Sequence, residues 1–419
     1  MSVRYGTIAP RNSFLGAYME YMHGHETPVI YDFWTGLWLL STVVARRLYV
    51  ARPRTPVPLN LYVMLCAESG TTRKSTAVTE AVSIYNKFLM LEPLPQVDVN
   101  SPTPVADIER AMAHCTNTLG CSPVVVHGSE GAIVLPRRNS ELPMHLTDWY
   151  DCPADRKNGT IRDIYATLLV ATTPAWLVRA MSPVIIEGGF TSRCFFVVSE
   201  NSKRRIAWPT QPQVDADGLA TILQSVSKLI ALIRNIEISN SALTRYSEWY
   251  NTRETSNDSF RRSFEAREGD HVLKVAGLLA INDTSFIITQ SHIDNALQCV
   301  YDVKERGASL FVSALGSDSA TRLVDAIRTE LLAAGLNGID HGKLLRRFSR
   351  DTQRTRLALL IMHELDLVQR FYVPGKGHKN KTLWRCTSKL AQKGVVDAVL
   401  RKLEPEADMP SDETANMEQ

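Results

Sequence analysis

The sequence predicts an α/β fold built on a parallel sheet covered on both faces. Two observations carry this: near-continuous apolar segments of strand length alternate with helical patterns, and the first such segment runs into a helix through a polar, glycine-containing loop. N-terminal helices precede this core, a helical region follows it, and a small basic module comes after that. The 419 residues correspond to roughly two to four domains at about 100–200 residues each. With 44% hydrophobic and 22% charged residues, the composition excludes a largely disordered or fibrous chain.

Residues 12–50 read as helical, with Phe14, Tyr18, Phe33, Leu37 and Leu40 at helical spacing. The longest apolar run, Phe33–Ala45, has 13 residues and is closed by Arg46-Arg47. A membrane span needs about 20, so this run is expected to be a buried core helix. The first 30 residues show no cationic start followed by an apolar stretch, so no secretory signal is expected. The seven cysteines are scattered without a CxxC pair, which argues against a disulfide framework or a zinc ribbon. A reducing cytoplasm is the expected location, with no membrane partner.

After a proline-rich crossing, Leu59–Ala67 reads as a buried strand, and a helix is expected from Ser75 onward. Ser122–Gly128, Thr167–Thr173 and Cys194–Glu200 read as three further buried strands. Beyond about residue 212 the pattern is helical, with four segments: ADGLATILQSVSKLIALIRN, SALTRYSEWYNTRE, DHVLKVAGLLAI and HIDNALQCVYDVKERG. Residues 319–387 change character again.

The loop Ala67–Thr76, AESGTTRKST, has the strand-to-helix setting of a phosphate-binding loop. Backbone N–H groups and a helix N-terminus there attract polyphosphate. Lys74 is placed to reach the outer phosphates and Ser75 to hold Mg²⁺. Ser69, Gly70, Thr71, Thr72, Arg73 and Thr76 complete the expected ATP-binding set. The match to GxxxxGK[ST] is imperfect: Arg73 stands at the second glycine and Glu68 at the first. Taken alone, the loop is also compatible with a polar turn carrying an incidental lysine.

Three strand ends add to the pattern. VVVHGSEG ends at Ser129-Glu130, where ATPases carry an acidic pair. Glu130 is the candidate general base and metal-shell residue, whereas Ser129 brings no carboxylate. ATTP ends at Thr172-Thr173, either of which could contact the terminal phosphate or attacking water, with Thr173 as the candidate and ordinary strand-end capping as the alternative. Arg193 immediately precedes the last strand and is the candidate arginine finger, the alternative being a structural ion pair.

The segments FLGAYMEYM, FWTGLWLLS, LYVMLCAESGTTRKSTA, VVVHGSEGAIVL, LTDWYDCPADRKNGTIR, LLVATTPAWL and EGGFTSRCFFVVSE, in this order, resemble one family. It is the P-loop ATPases, related to AAA+ helicases, of phage and mobile-element replication modules, some of them the helicase part of primase–helicase proteins. The resemblance spans roughly residues 12–310. In that family the loop often reads PSGxxRKST, so Arg73 before Lys74 is a family feature. The family usually carries Asp-Glu where this chain has Ser129-Glu130. Asp151, matching a family Tyr-Asp, is the candidate substitute carboxylate.

ADRKNGTIRDIYA contains Asn158-Gly159, a strong hairpin signal, on arms carrying Arg156, Lys157 and Arg162. AAA+ helicases project a hairpin from this place into a central channel. The three cations are therefore candidate DNA-backbone contacts, the alternative being a solvated surface hairpin.

From His341 to Arg385 eleven Lys/Arg face three Asp/Glu, while Leu403–Gln419 holds six acids and no base. Three helices and two strands, VQRFYVP and KTLWRCT, joined by GKGHKN, make a winged helix. Arg354 and Arg356 sit at the start of its third helix, and Lys376, Lys379 and Lys381 on its wing, as candidate DNA contacts. A winged helix used for protein contact is the alternative.

The expected organisation is an N-terminal helical region 1–50, a P-loop ATPase core 51–211, a helical lid 212–316, a winged helix 317–390, and a final helix end with an acidic tail, 391–419. The expected function is an ATP-dependent DNA motor, helicase or replication initiator. It would hydrolyse ATP with Mg²⁺ as a ring-shaped homo-oligomer, expected as a hexamer, beside a separate primase or polymerase. The alternative is a DNA-binding initiator or adaptor that uses ATP for assembly with little hydrolysis.

Overall fold

The structure, a computed structural model, describes residues 3–135, 141–156, 159–174, 176–177, 189–200, 202, 204–233, 235–256, 259–311, 318–348, 352–374, 380–391, 395 and 399. The chain forms two compact units, Met1–Phe311 and Val312–Gln419.

In the first unit, α1 (Phe14–Met22) starts at Ser13, whose hydroxyl accepts from the Gly16 amide at 3.1 Å. The apolar run expected to be a core helix lies, but for its last residue Ala45, within α2 (Val29–Val44), in which every residue from Ile30 to Val44 is buried. The helix stops because Ala45 and Arg46 both take left-handed backbone, φ 43° and 71°. Gly36 lets α1 lie close against it: a Cβ there would meet Leu15 Cδ1 at 2.5 Å and Tyr18 Cδ1 at 2.8 Å. Trp34 packs on Phe195, ring centroids 4.7 Å apart, and so joins the N-terminal helices to the sheet.

The sheet has five parallel strands: β1 (Tyr62–Cys66), β2 (Val97–Val99), β3 (Ser122–Gly128), β4 (Ile164–Thr172) and β5 (Cys194–Val198), in the order β2-β3-β4-β1-β5. All residues of β1 and β4 are buried, as expected of central parallel strands. The register sets Tyr62 beside Leu168 and Cys194, and Cys66 beside Thr172 and Val198. The expected parallel α/β core is therefore present. The sequence reading named four of the strands; β2, three residues long with an exposed centre, carries too little hydrophobic pattern to stand out.

Helices α3 (Lys74–Leu91), α4 (Val105–Leu119) and α5 (Glu141–Tyr150) accompany the strands. Four more complete the unit: α6 (Ala216–Leu232), α7 (Asn240–Asn251), α8 (Ser259–Asn282) and α9 (Gln290–Phe311). α8 begins well before the expected DHVLKVAGLLAI. Its charged first half is held by ion pairs to α9, Arg261–Glu305 at 2.9 Å and Lys304–Glu268 at 3.0 Å.

In the second unit, α10 (Asp318–Ala334), α11 (His341–Arg347) and α12 (Thr352–Glu364) accompany β6 (Ile339–Asp340), β7 (Val368–Pro374) and β8 (Asn380–Cys386). These strands form an antiparallel sheet in the order β6-β8-β7. Val324, Ile327, Leu344, Leu359, Met362 and Trp384 are among its core residues. Asp340 caps α11, its Oδ1 accepting from the Lys343 amide at 2.9 Å. The acidic tail from Leu403 lies outside the described residues.

Candidate nucleotide site

Because all five strands run in parallel, Cys66, Val99, Gly128, Thr172 and Val198 end at one edge of the sheet. Loops leaving that edge meet in the crevice where α/β sheets bind ligands. The Ala67 amide, at the start of the phosphate loop, approaches the Thr172 carbonyl at 3.4 Å. Tyr31 of α2 donates from its hydroxyl to the Cys66 carbonyl at 2.8 Å, fixing the strand end from below.

The loop then turns at Gly70, φ 80°, where nothing lies within 4 Å of a Cβ position. Thr71 Oγ1 and Lys74 Nζ both donate to the Glu68 carbonyl, at 3.0 and 2.9 Å. Arg73 takes the left-handed conformation, φ 51° and ψ 36°, and caps α3. That backbone is why a glycine is common here, and a side chain pays roughly 1–2 kcal/mol for it. The Arg73 guanidinium meets Glu26, with Nε at 3.2 Å and Nη2 at 2.9 Å from one carboxylate oxygen.

A cavity of about 460 Å³ opens over this loop, within the range of small-ligand sites. Ser69, Gly70, Arg73, Lys74, Ser75 and Thr76 line one side, and Ser129, Glu130 and Gly131 the other. Thr172, Thr173 and Trp176 form the back. Thr71 and Thr72 belong to the loop without lining the cavity, and Thr72 is fully buried. Partial burial lowers the Lys74 ammonium from its ordinary value, while Cys66 and Glu68 pull it back up. Burial pushes the Cys66 thiol up to about 12, so beneath the loop it stays a neutral hydrophobe.

Four separate sequence signals thus converge: Lys74, Ser75, Glu130 and Thr173 surround one hollow. The Ser75 hydroxyl lies 3.4 Å from the Ser129 backbone oxygen. Thr173 Oγ1 accepts from the Trp176 amide at 3.2 Å, which anchors the turn after β4. A hydroxyl and one carboxylate, Ser75 and Glu130, suit Mg²⁺, which takes few protein oxygens and shares the rest with phosphates and water. The ion would neutralise phosphate charge. Trp176 is a wall the sequence reading did not name; an aromatic two residues after the strand-end proline is its only signal.

Arg193 and Asp151 lie elsewhere. Arg193 precedes Cys194, which pairs with Tyr62 at the start of β1, whereas the phosphate loop leaves its end. Four residues of strand, about 13 Å, separate the two edges. Asp151 clasps two arginines: Oδ2 meets Arg193 at 2.7 Å and Oδ1 meets Arg267 of α8 at 2.9 Å. Arg193 also donates to the Gly189 carbonyl at 2.9 Å and is only 7% exposed. Asp151 is therefore not a substitute for the carboxylate missing at Ser129, because its charge is committed at the opposite edge.

The expected hairpin is present, pairing Asp155 with Arg162 and Arg156 with Ile161. Gly159 turns at φ 82°, and its amide donates to Asp155 Oδ1 at 2.6 Å. Lys157 lies outside the described residues. Arg156 is ion-paired to Asp148 and donates to His145 Nδ1 at 3.1 Å, with Glu109 3.8 Å away. Burial and the Arg156 charge together lower the His145 imidazole. Arg162 is exposed and folds back onto the Gly159 carbonyl at 3.0 Å. In the second unit Arg356 and Lys381 are exposed, Arg354 lies within α12, and Lys376 and Lys379 fall outside the described residues.

Among the described residues no helix is long and apolar enough to cross a membrane, and no group of His, Cys, Asp and Glu could hold a metal by itself. No family model and no curated protein matches the chain. Among solved structures, it is similar at 16% identity to a full-length MCM homolog from Methanopyrus kandleri, covering 70% of this chain and 59% of that one, with a TM-score of 0.40. The chain thus spans less than two thirds of that relative's length. The Aeropyrum pernix ORC1 protein in complex with DNA matches at 14% identity, 87% and 91% coverage and a TM-score of 0.23. The active helicase Cch of SCCmec type IV matches at 9% identity, 93% and 73% coverage and a TM-score of 0.37.

Proposed function

We propose that the chain is an ATP-dependent DNA motor, a helicase or replication initiator of the kind carried by phage and mobile-element replication modules. The observation that carries this reading is the convergence of Lys74, Ser75, Glu130 and Thr173 on one cavity at the C-terminal edge of a parallel sheet. Lys74 and the loop amides hold the phosphates, and Thr173 orients the terminal one. Glu130 takes the proton of the attacking water as it adds to the terminal phosphorus, releasing ADP and phosphate. Ser75 and Glu130 would hold Mg²⁺, which would neutralise charge on the phosphates.

The second unit is read as a winged helix that grips DNA through Arg354, Arg356 and Lys381, with Lys376 and Lys379 beside them. In unit 1, Arg162 and Lys157 are the hairpin cations left for a phosphate backbone, since Arg156 is committed to Asp148. A ring of copies, expected as a hexamer, would bring Arg193 toward a neighbour's nucleotide, and that requires Arg193 to leave Asp151.

ATP turnover by the full chain with and without DNA tests the reading, with Lys74→Ala and Glu130→Gln as controls. DNA-stimulated turnover lost in both variants is expected. Ser129, in place of a carboxylate, favours a second reading, an initiator or adaptor that assembles on ATP and hydrolyses it slowly. ATP-dependent assembly on DNA with negligible turnover would decide for it.

A further inference from the structure

Arg73 lines the cavity, and its guanidinium is turned to Glu26, two of its nitrogens donating to one carboxylate oxygen. Glu26 stands in the connection between α1 and α2, and its other oxygen accepts from the Ile206 amide at 3.0 Å. Two residues earlier, Arg204 donates to the Met22 carbonyl at 3.0 Å and pairs with buried Asp32 at 2.7 Å. Thr27 closes the cluster by donating to the other Asp32 oxygen at 2.5 Å. Glu26 is thus the joint between the phosphate loop, the N-terminal helices and the segment after β5.

The ion pair is open to competition. The Arg73 side chain is 61% exposed and that of Glu26 30%. The cavity's other cation, Lys74, already donates to the Glu68 carbonyl. A polyphosphate brings several negative charges and bidentate oxygens, to which a guanidinium binds more strongly than to a single carboxylate. We propose that Glu26 is an internal competitor for Arg73 that sets how tightly the cavity takes a polyphosphate. When Arg73 turns to the phosphates, Glu26 keeps only its bond to Ile206. Nucleotide binding is thereby coupled to residues 204–206. Glu26 is a positioning residue: it acts through Arg73 and does not line the cavity.

This rests on the cavity being a polyphosphate site, and the test separates the two claims. Fluorescent ATP with Mg²⁺ is titrated into the full-length protein and into Glu26→Gln, Arg73→Ala, their combination and Lys74→Ala. Glu26→Gln removes the charge and keeps an acceptor for the Ile206 amide. It is expected to tighten binding by about three- to tenfold, the size of one partly exposed ion pair. Arg73→Ala is expected to weaken binding, and the combined variant to bind like Arg73→Ala, because the gain passes through Arg73. Unchanged or weaker binding in folded Glu26→Gln overturns the proposal, as does a gain that persists without Arg73. Should Glu26→Gln melt out, Glu26→Ala removes the charge together with the acceptor for the Ile206 amide, and binding by folded Glu26→Ala that is no tighter than that of the parent chain likewise overturns the proposal. Full binding by Lys74→Ala overturns the cavity reading itself, whatever Glu26 does.

Discussion

The Ser75 hydroxyl lies 3.4 Å from the Ser129 backbone oxygen. The first turn of α3 therefore touches the end of β3, although β4 lies between β3 and β1 in the sheet. An aspartate at position 129 would add a second carboxylate to a cavity wall that already carries Ser75 and Glu130. Ser129→Asp is expected to raise ATP turnover by about tenfold, the scale on which groups around a metal tune activity. Steady-state phosphate release measures it, and a rate no higher than that of the parent chain contradicts the metal role of Ser75.

Glu130→Gln is expected to keep ATP binding while turnover falls about 10²–10⁴-fold, the loss of a general base. Titration of fluorescent ATP and a phosphate-release assay on the same preparation separate the two effects. Weakened binding would mean that the metal-holding role of Glu130 outweighs its role as base.

Asp151 holds Arg193 and Arg267 with one carboxylate. Asp151→Asn is expected to cost about 1–2 kcal/mol, since Arg193 is nearly buried while Asp151 is half exposed. Denaturant unfolding reads the loss. ATP affinity at the other edge should stay unchanged, and a parallel fall would show that the two edges are coupled.

Much of this was legible in the residues. Ser122–Gly128 and Val368–Pro374 are strands with the boundaries read for SPVVVHG and VQRFYVP, and the loop before Lys74 follows from its strand-to-helix setting. Pairs distant in sequence left no mark. Arg193 and Asp151 are 42 residues apart, Arg267 and Asp151 116, and Arg73 and Glu26 47. Side-chain periodicity reports which face of an element is buried and is silent about which charge meets which across the fold. Arg156, expected to touch DNA, is ion-paired to Asp148 of α5, a partner 8 residues away that the hairpin pattern does not reveal.

Lys274 is fully buried, donates to the Asn60 carbonyl at 3.2 Å and lies 4.0 Å from the Tyr150 ring centroid. Burial lowers its ammonium to about 8. Between pH 8 and its ordinary range the unfolded chain holds the proton that the folded chain has released, so stability rises with pH across that window. Below pH 8 the cost of the buried charge is fully present. Lys274→Met is expected to add about 1–3 kcal/mol at pH 7 and to flatten the slope above pH 8. Melting curves from pH 7 to 10 check both, and a destabilised variant would show that the bonds to Asn60 outweigh the charge.

Asp32 has the opposite sign. Burial pushes its carboxyl up to about 7 against the pull of Arg204 and Thr27. Its folded value lies above the unfolded one, so its stabilisation is complete below about pH 4 and is lost as pH rises through 7. Asp32→Asn should remove that component, leaving a melting temperature that changes less than the parent's between pH 5 and 8.

Arg156 ties the hairpin to α5 through Asp148, and the residue directly after α5 is Asp151, which grips Arg193 and α8. Through these ion pairs the base of the hairpin, α5, Arg193 and α8 form one continuous chain of charges that ends beside the first residue of β5.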